Sequence, residues 1–210
     1  MIKKVLVLVG APGSGKGTIK KKIMQIWDVE GKLYSNIETS EILRQNTKFQ
    51  EIIANGELVK DEDVICALYH PLQTARKTII LDGLPRTILQ GMWLQRFKNF
   101  EFKILKLKAD EETIIQRVSN RRICPKCNTT YNLLIKELAP SKNGFCDKCN
   151  SQLITRKDDT QIKKRLMDYY TRTEETIEYL KKEGMEYYEI DSNNIFTKGF
   201  IEELLKKMAI

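Results

Sequence analysis

An α/β fold, in which helices cover both faces of a doubly wound parallel sheet of five strands, is the architecture that this sequence predicts. Short apolar runs alternate with helical patterns along most of the 210 residues, and such alternation favours right-handed crossovers between parallel strands. A glycine-rich loop directly follows the first apolar run, and a segment with two pairs of cysteines interrupts the alternation later. The sequence therefore predicts one sheet domain that carries an inserted subdomain.

Five apolar runs have the composition of strands. The first, residues 5–9, is continuously apolar, as expected of a strand that is buried on both faces. The others are residues 33–37, 78–81, 104–107 and 187–191. Apolar residues at helical spacing occur at 19–27, 89–97, 111–118, 162–180 and 200–208. Because ligands of parallel sheets bind at the carboxyl ends of the strands, the site is expected there.

The composition is that of a soluble globular protein with an anionic partner. Hydrophobic residues make up 41% of the chain, and no apolar run approaches the roughly 18 residues of a membrane span. The apolar run at the start ends in a glycine turn, as a strand does, and not in a signal-peptide cleavage site. We therefore expect a cytoplasmic protein. The formal net charge of +8 suits nucleic acid, a membrane surface or small polyphosphates.

The glycine-rich loop, GAPGSGKGT at residues 10–18, fits the phosphate-binding pattern G-x-x-x-x-G-K. Its glycines let backbone N–H groups approach phosphate oxygens, and the following helix contributes the positive end of its dipole. Lys16 can reach the outer phosphates. The residue after Lys16 is Gly17, so the hydroxyl that usually follows the lysine arrives one position later, as Thr18. The loop predicts a nucleoside triphosphate site.

The two cysteine pairs predict a metal site. Four cysteines are spaced C-x2-C-x18-C-x2-C, which lies within the range of four-cysteine zinc sites: Cys124, Cys127, Cys146 and Cys149. Four thiolates leave no open position, so the metal is expected to be structural, and iron is chemically possible in place of zinc. The fifth cysteine, Cys66, is expected to fill an apolar helix position.

Arginines are the expected partners of phosphate, because a planar guanidinium pairs with two phosphate oxygens at once. Six lie near the ends of predicted elements or in loops: Arg44, Arg86, Arg117, Arg121, Arg156 and Arg165. The lysines of IKKKI, residues 19–23, are expected on an exposed helix face instead. The only histidine, His70, precedes Pro71, and the helix that contains it is expected to end near this point.

The chain resembles the adenylate kinase family over nearly its whole length. The motifs follow one another in the family's order: GAPGSGKGT, ETSEILR, NGELV, LDGLPRTILQ, RVSNRRICPKC, CDKC and LITRKDD. The resemblance implies the P-loop kinase type of α/β fold with two insertions, a zinc-binding lid and a small monophosphate-binding segment. It implies core segments at 1–38, 68–121 and 158–210, a monophosphate-binding insertion at 39–67, and a lid at 122–157.

The resemblance also implies the ligands and their residues. ATP would contact Gly13, Ser14, Gly15, Lys16, Gly17, Thr18, Arg117, Arg121, Thr130 and Tyr131. AMP would contact Thr39, Arg44, Glu57, Leu58, Val59, Gly83, Arg86, Gln90, Arg156 and Arg165. The catalytic groups would be Lys16, Arg86, Arg121, Arg156, Arg165 and Asp82, of which Asp82 would lie beside the water shell of Mg²⁺. Asp158 and Asp159 are expected to pair with basic residues where the lid ends.

The implied activity is transfer of the γ-phosphoryl group of MgATP to AMP by a monomer that binds neither nucleic acid nor membrane. Ser40 stands where the family usually has glycine, Leu84 where it has phenylalanine, and residues 44–56 form a shorter segment than usual. Another nucleoside monophosphate as acceptor, or GTP as donor, is therefore the alternative. A zinc-ribbon protein that binds nucleic acid is more remote, because the segment between the cysteine pairs offers only Tyr131 and Phe145 as aromatic residues.

Overall fold

A computed structural model describes residues 2–193 and 197–210, except for the side chains of Lys157 and Asp158. Its main feature is a sheet of five parallel strands: β1 (Lys3–Gly10), β2 (Tyr34–Glu38), β3 (Thr78–Asp82), β4 (Phe100–Lys108) and β7 (Glu186–Asp191). They lie side by side in the order β2, β3, β1, β4, β7. All five strands predicted from the sequence are confirmed, within a few residues at their ends.

Side chains of the central strand β1 alternate between two hydrophobic cores, one on each face of the sheet. Val5, Val7 and Val9 belong to one core, and Leu6 and Leu8 belong to the other. Successive residues of a strand point to opposite faces, so a strand buried on both faces needs an unbroken apolar run. The doubly wound arrangement is therefore visible in β1 alone.

Helices cover both faces of the sheet. The helices are α1 (Lys16–Val29), α2 (Thr39–Arg44), α3 (Thr47–Ala54), α4 (Asp61–Thr74), α5 (Ile88–Gln95), α6 (Glu111–Ser119), α7 (Ile162–Asp168), α8 (Glu174–Lys182) and α9 (Lys198–Lys207). Helices α1 and α9 pack on the core that contains Leu6, whereas α2 to α8 contribute to the core that contains Val5. The long helix predicted at 162–180 is interrupted by a π-helical turn at Tyr169–Thr173.

Two expectations about α4 are wrong. The helix does not end near His70 but continues through Pro71 to Thr74. Leu72, beyond the proline, is fully buried in the core, and the hydroxyl of Thr74 donates to the carbonyl oxygen of His70 at 3.0 Å. Packing of the apolar face therefore outweighs the hydrogen bond that a proline cannot donate. Cys66 is exposed and does not fill an apolar position.

Residues 122–157, which the family resemblance assigns to a lid and which are called the lid segment below, contain a small sheet and a hydrophobic cluster of their own. Strands β5 (Arg121–Ile123) and β6 (Thr130–Asn132) pair in antiparallel fashion, and Ile123 forms an isolated bridge with Ile154. A separate hydrophobic cluster lies inside it: Cys124, Tyr131, Cys146 and Leu153, with Cys149 packed against them. This cluster is far smaller than either core of the sheet.

None of the helices in residues 2–193 and 197–210 combines the length and the apolar character that crossing a lipid bilayer would require.

Candidate active site

The glycine-rich loop connects the end of β1 to the start of α1, at the carboxyl edge of the sheet. The backbone of Gly13 has a φ of +86°, and a Cβ there would lie 2.8 Å from Cγ2 of Val118. A Cβ on Gly10 would lie 2.7 Å from the carbonyl oxygen of Leu107. Only glycine fits these two positions, because the loop packs closely against β4 and α6.

The N-terminus of α1 is open to an anion. Its N-cap residue is Gly15, so no side chain caps the first N–H groups of the helix. The hydroxyl of Ser14 is fully buried and has no hydrogen-bond partner among the described residues. Uncapped N–H groups at a helix N-terminus bind phosphate through direct hydrogen bonds and the helix dipole. The loop thus offers a built phosphate cradle.

Lys16 folds back over this cradle. Its Nζ donates to the carbonyl oxygens of Gly10 at 2.5 Å and Ala11 at 3.0 Å. The pKa of Lys16 is lowered to about 8, mainly by burial, although the Asp82 carboxylate opposes the shift. Three nearby guanidinium groups contribute to the lowering: those of Arg86, Arg165 and Arg121. Four predicted catalytic side chains are therefore close enough to Lys16 to affect its charge.

Asp82, at the carboxyl end of β3, forms a buried ion pair that the sequence did not reveal. Lys20 Nζ donates to Asp82 Oδ2 at 2.8 Å and to Glu38 Oε2 at 2.5 Å. Burial alone would lower the pKa of Lys20, but the Asp82 and Glu38 carboxylates raise it above its ordinary value. Lys20 is only 7% exposed, so its assignment to an exposed helix face is wrong.

The loop after β3 holds Arg86 and Gln90 in place. Arg86 Nε donates to the carbonyl oxygen of Gly83 at 3.0 Å, and Arg86 N donates to Gln90 Oε1 at 2.8 Å. Gln90 Nε2 and the Thr87 hydroxyl both donate to Asp61 Oδ1, at 2.7 and 2.8 Å. Asp61, at the start of α4, was not singled out from the sequence. It fixes the orientation of the Gln90 amide.

Thr39 faces the same loop from the end of β2. Its hydroxyl is buried and has no hydrogen-bond partner within the part of the chain that the structure describes. A Cβ on Gly83 would lie 3.4 Å from Thr39 Cβ and 3.5 Å from Arg86 Nη2, so the three residues are neighbours. A buried hydroxyl without a partner next to a guanidinium suits a polar or anionic ligand. This neighbourhood is a candidate acceptor pocket.

The other residues predicted to bind AMP lie around α2 and α3. Val59 is buried in the core, Leu58 is half-buried, and Glu57 pairs with Lys164 at 3.0 Å between Oε1 and Nζ. Arg44 ends α2 and is partly buried. A Cβ on Gly56 would lie 2.8 Å from Cβ of Gln161, so this segment contacts the chain that leaves the lid segment.

Asp159 joins two of the predicted catalytic arginines. Its carboxylate forms an ion pair with Arg121 through both oxygens, with Arg121 Nε 2.8 Å from Oδ2. Arg165 Nη1 lies 3.5 Å from Oδ1 of the same carboxylate. The expectation that Asp159 pairs with basic residues is confirmed, whereas the side chain of Asp158 lies outside the described residues. Arg156, three residues before Asp159, is partly buried.

Arg117, on α6, binds the chain that follows β7. Its Nη2 donates to the carbonyl oxygens of Ser192 at 2.7 Å and Asn193 at 3.1 Å. Nη1 is buried, and among the described residues it has no hydrogen-bond partner. Thr130, in the lid segment, is exposed. The structure therefore places the Arg117 guanidinium against the chain that follows β7.

The four cysteine sulfurs form one cluster in which all the Sγ atoms lie within 4.8 Å of one another. Tetrahedral zinc with Zn–S bonds of about 2.3 Å keeps its sulfurs about 3.8 Å apart, so the cluster fits this ion. The backbone of each C-x-x-C pair forms a turn that is closed by the same kind of hydrogen bond. Asn128 N donates to the carbonyl oxygen of Cys124 at 2.9 Å, and Asn150 N donates to that of Cys146 at 2.8 Å.

Tyr131 supports this cluster from inside the lid segment. Asp147 N donates to the Tyr131 hydroxyl at 2.8 Å, and that hydroxyl donates to Cys146 Sγ at 3.4 Å. The donation lowers the pKa of the Cys146 thiol to about 6, against the effect of burial. Tyr131 is 6% exposed. Tyr131 thus contacts the cysteine cluster directly, and its contact with ATP stays a prediction.

Comparison with known proteins identifies the family. The sequence model of the family described as adenylate kinase matches residues 8–185. The chain belongs to the adenylate kinase family. It is 36% identical to an adenylate kinase of Borrelia garinii subsp. bavariensis, an alignment that covers 97% of this chain and 95% of the relative. The family assignment made from the motifs is therefore confirmed.

Other adenylate kinases match over similar lengths. The protein of that name from Thermotoga maritima is 35% identical over 86% of each chain. That from Caldicellulosiruptor saccharolyticus is 32% identical over 98% of this chain and 99% of its own length. The adenylate kinase match begins inside β1 and extends past α8, so it includes the glycine-rich loop, the arginines and the cysteine cluster.

Proposed function

We propose that this protein transfers the γ-phosphoryl group of MgATP to AMP and so forms two ADP. The observation that carries the proposal is the group of charges around Lys16, which comprises Asp82, Arg86, Arg121 and Arg165. Phosphoryl transfer spreads negative charge over the oxygens of a loose transition state, and positioned cations stabilise that charge. Membership of the adenylate kinase family supports this choice of nucleotides.

The donor ATP is assigned to the glycine-rich loop. The uncapped N-terminus of α1 and the unpartnered Ser14 hydroxyl support binding of its phosphates by residues 13–18. Arg117 and Arg121, with Thr130 and Tyr131 from the lid segment, would complete the donor site. Lys16 would move with the transferred phosphoryl group. Its ammonium is bound by two carbonyl oxygens of the loop, and phosphate oxygens can replace these.

The acceptor AMP is assigned to the neighbourhood of Thr39, Gly83 and Arg86. The buried Thr39 hydroxyl without a partner supports this placement. Gln90 would read the base, since Asp61 fixes the orientation of its amide. The remaining proposed contacts are Arg44, Glu57, Leu58, Val59, Arg156 and Arg165.

Magnesium bound with ATP would neutralise phosphate charge and orient the transferred group. Asp82 is proposed to lie beside its water shell, because its carboxylate is at the carboxyl end of β3 and acts on Lys16. Zinc is proposed as the metal of the four cysteines, where it would take the place of a hydrophobic core that so small a segment cannot build.

The proposal includes the organisation of the chain. Residues 39–67 would form the monophosphate-binding insertion, residues 122–157 the zinc-binding lid, and 1–38, 68–121 and 158–210 the core. Closure of such a lid excludes water, which would otherwise accept the phosphoryl group. We propose that the protein is a monomer in the cytoplasm. Light scattering of the purified protein would check the monomeric state.

The test is product formation from MgATP with AMP, GMP, CMP or UMP in turn, for the natural protein and for Lys16→Met. We expect ADP from AMP alone at a high rate, and a loss of about 1,000-fold or more in Lys16→Met, because a stabilising cation has been removed. Lys21→Met, at an exposed position of the same helix, is the matched control and should retain activity.

The outcomes separate the alternatives. Transfer to another monophosphate would place the error in the acceptor segment at 44–56, and faster transfer from GTP would place it in the donor site. An unchanged rate in Lys16→Met would contradict the assignment of the glycine-rich loop.

A further inference from the structure

Lys20 occupies an unusual position for a lysine, one helical turn beyond Lys16 on the buried side of α1. It is 7% exposed and lies beside Ile19 and Ile23, which are fully buried. A buried ammonium requires compensation by opposite charge and hydrogen bonds. Asp82 and Glu38 provide both, at the ends of two neighbouring strands.

The two carboxylates converge on one point. Asp82 Oδ2 and Glu38 Oε2 lie 2.8 and 2.5 Å from the same Nζ, and Glu38 and Asp82 are directly opposite each other in the parallel register of β2 and β3. Two carboxylate oxygens around a common centre form the kind of hard oxygen site that Mg²⁺ and Mn²⁺ prefer. Lys20 Nζ lies at the place where such an ion would bind.

We propose that Lys20 is a positioning residue whose ammonium stands in for a divalent cation between Glu38 and Asp82. It keeps this carboxylate pair from binding a metal directly and holds Asp82 for the Mg²⁺ that arrives with ATP. The second half of this inference rests on the proposed function, whereas the first half concerns the nucleotide-free protein.

The contacts of Lys20 explain why its loss would change metal binding and not only stability. Without the ammonium, the carboxylates of Asp82 and Glu38 would repel each other. Both lie in partly buried surroundings, with the Asp82 side chain 12% exposed and that of Glu38 34% exposed. A divalent ion would relieve that repulsion at the same point. Asp82 would then be drawn towards this ion and away from the glycine-rich loop.

The experiment measures Mn²⁺ binding to the nucleotide-free protein by the electron paramagnetic resonance of free Mn²⁺. We expect Lys20→Met to gain one site and to bind Mn²⁺ at least about tenfold more tightly than the natural protein. The double variant Lys20→Met/Glu38→Gln, with one carboxylate removed, should lose this gain. Lys20→Arg should behave like the natural protein, because the cation is restored. Should Lys20→Met fail to fold, Lys20→Gln replaces it.

Kinetics provide the second readout. Lys20→Met should lower kcat about tenfold with a smaller change in the KM for MgATP, since Asp82 acts on the reacting phosphates more than on ground-state binding. Lys103→Met is the matched control. Lys103 is 5% exposed and also bridges two carboxylates, those of Glu101 and Glu186, each at 3.0 Å, but it takes no part in the site.

Equal Mn²⁺ affinity in the natural protein and Lys20→Met would overturn the inference, and so would an equal fall of kcat in Lys20→Met and Lys103→Met. Failure of the natural protein to form ADP would overturn the proposed function instead, and the Mn²⁺ comparison would still decide whether Lys20 excludes a metal.

Discussion

The sheet and the lid segment differ in the size of the hydrophobic clusters that they bury. In the sheet, residues such as Leu6, Ile80 and Leu105 are fully buried within cores of more than a dozen side chains. The interior of the lid segment consists of a few residues, most of them cysteines. Burial of apolar area scales with the size of the core, so only the sheet can rely on it.

The packed sheet domain holds most of the predicted site residues. The sheet fixes the glycine-rich loop, Asp82 and Asp159's partner Arg165 on packed elements. The hydrophobic cluster of the lid segment shares no member with either core of the sheet. Metal binding stabilises such a segment internally without attaching it to the rest of the molecule.

The largest effect is expected from removing two ligands of the lid segment with Cys146→Ser/Cys149→Ser. Metal binding should be lost, together with the folding free energy that it provides, about 10 kcal/mol or more for structural zinc sites. The zinc content measured by elemental analysis should fall from one zinc per chain to none. Amide hydrogen exchange should accelerate in residues 122–157. Amides of β1 should keep their protection.

Cys66→Ser is the control for this pair, because Cys66 is exposed on α4 and lies outside the cluster. A lid segment that stayed protected without metal would show that its hydrophobic cluster suffices.

A smaller effect, spread over the whole sheet, is expected from Leu6→Ala. Leu6 is fully buried on the central strand, and truncation of a buried leucine costs about 2–5 kcal/mol. Denaturant unfolding should show a lower midpoint, whereas the zinc content of the folded protein should remain one per chain. Leu134→Ala, at a position 61% exposed in the lid segment, should change neither value. Loss of zinc in Leu6→Ala would mean that the two parts fold as one unit.

Tyr131→Phe should weaken the lid segment alone. It removes the hydroxyl that donates to Cys146 Sγ and accepts from Asp147 N. Loss of such a supporting contact lowers metal affinity by about 10- to 100-fold, which competition with a chelator would measure. Tyr179→Phe removes a hydroxyl that donates to Gln95, between α8 and α5 and outside the lid segment, and should leave zinc affinity unchanged. Equal affinities in both variants would contradict the role of Tyr131.

The smallest effect concerns Lys16. It belongs to the sheet domain, but burial together with arginines next to the lid segment lowers its pKa. Its pKa of about 8 means that the ammonium loses its proton as pH rises above 8. The charged form binds phosphate, so the Kd for ATP should rise about fourfold between pH 7 and pH 8.5. Lys16→Arg keeps its charge and should show a flat profile by calorimetry. A flat profile for the natural protein would mean that its ammonium stays charged over this range.

Much of the fold could be predicted because it is encoded in local patterns. The run at 5–9 has to be a strand buried on both faces, and glycine at 10 and 13 has to form a tight loop. The prediction for α4 failed at Pro71, because local sequence does not reveal that Leu72 packs into a core. The helix at 162–180 was predicted without its π-turn for the same reason.

For the site, the sequence by itself determined the groups whose chemistry follows from their spacing along the chain: the glycine-rich loop with Lys16, and the four cysteines. The order of its motifs also determined the family. Only the tertiary structure decided that Lys20, one of three consecutive lysines, is buried between Glu38 and Asp82, which are 18 and 62 residues away. It also decided that Asp61 holds Gln90 and that Tyr131 faces a thiolate. The physical reason is that the charge and orientation of a buried polar group depend on partners brought close by packing, and these partners can lie anywhere in the chain.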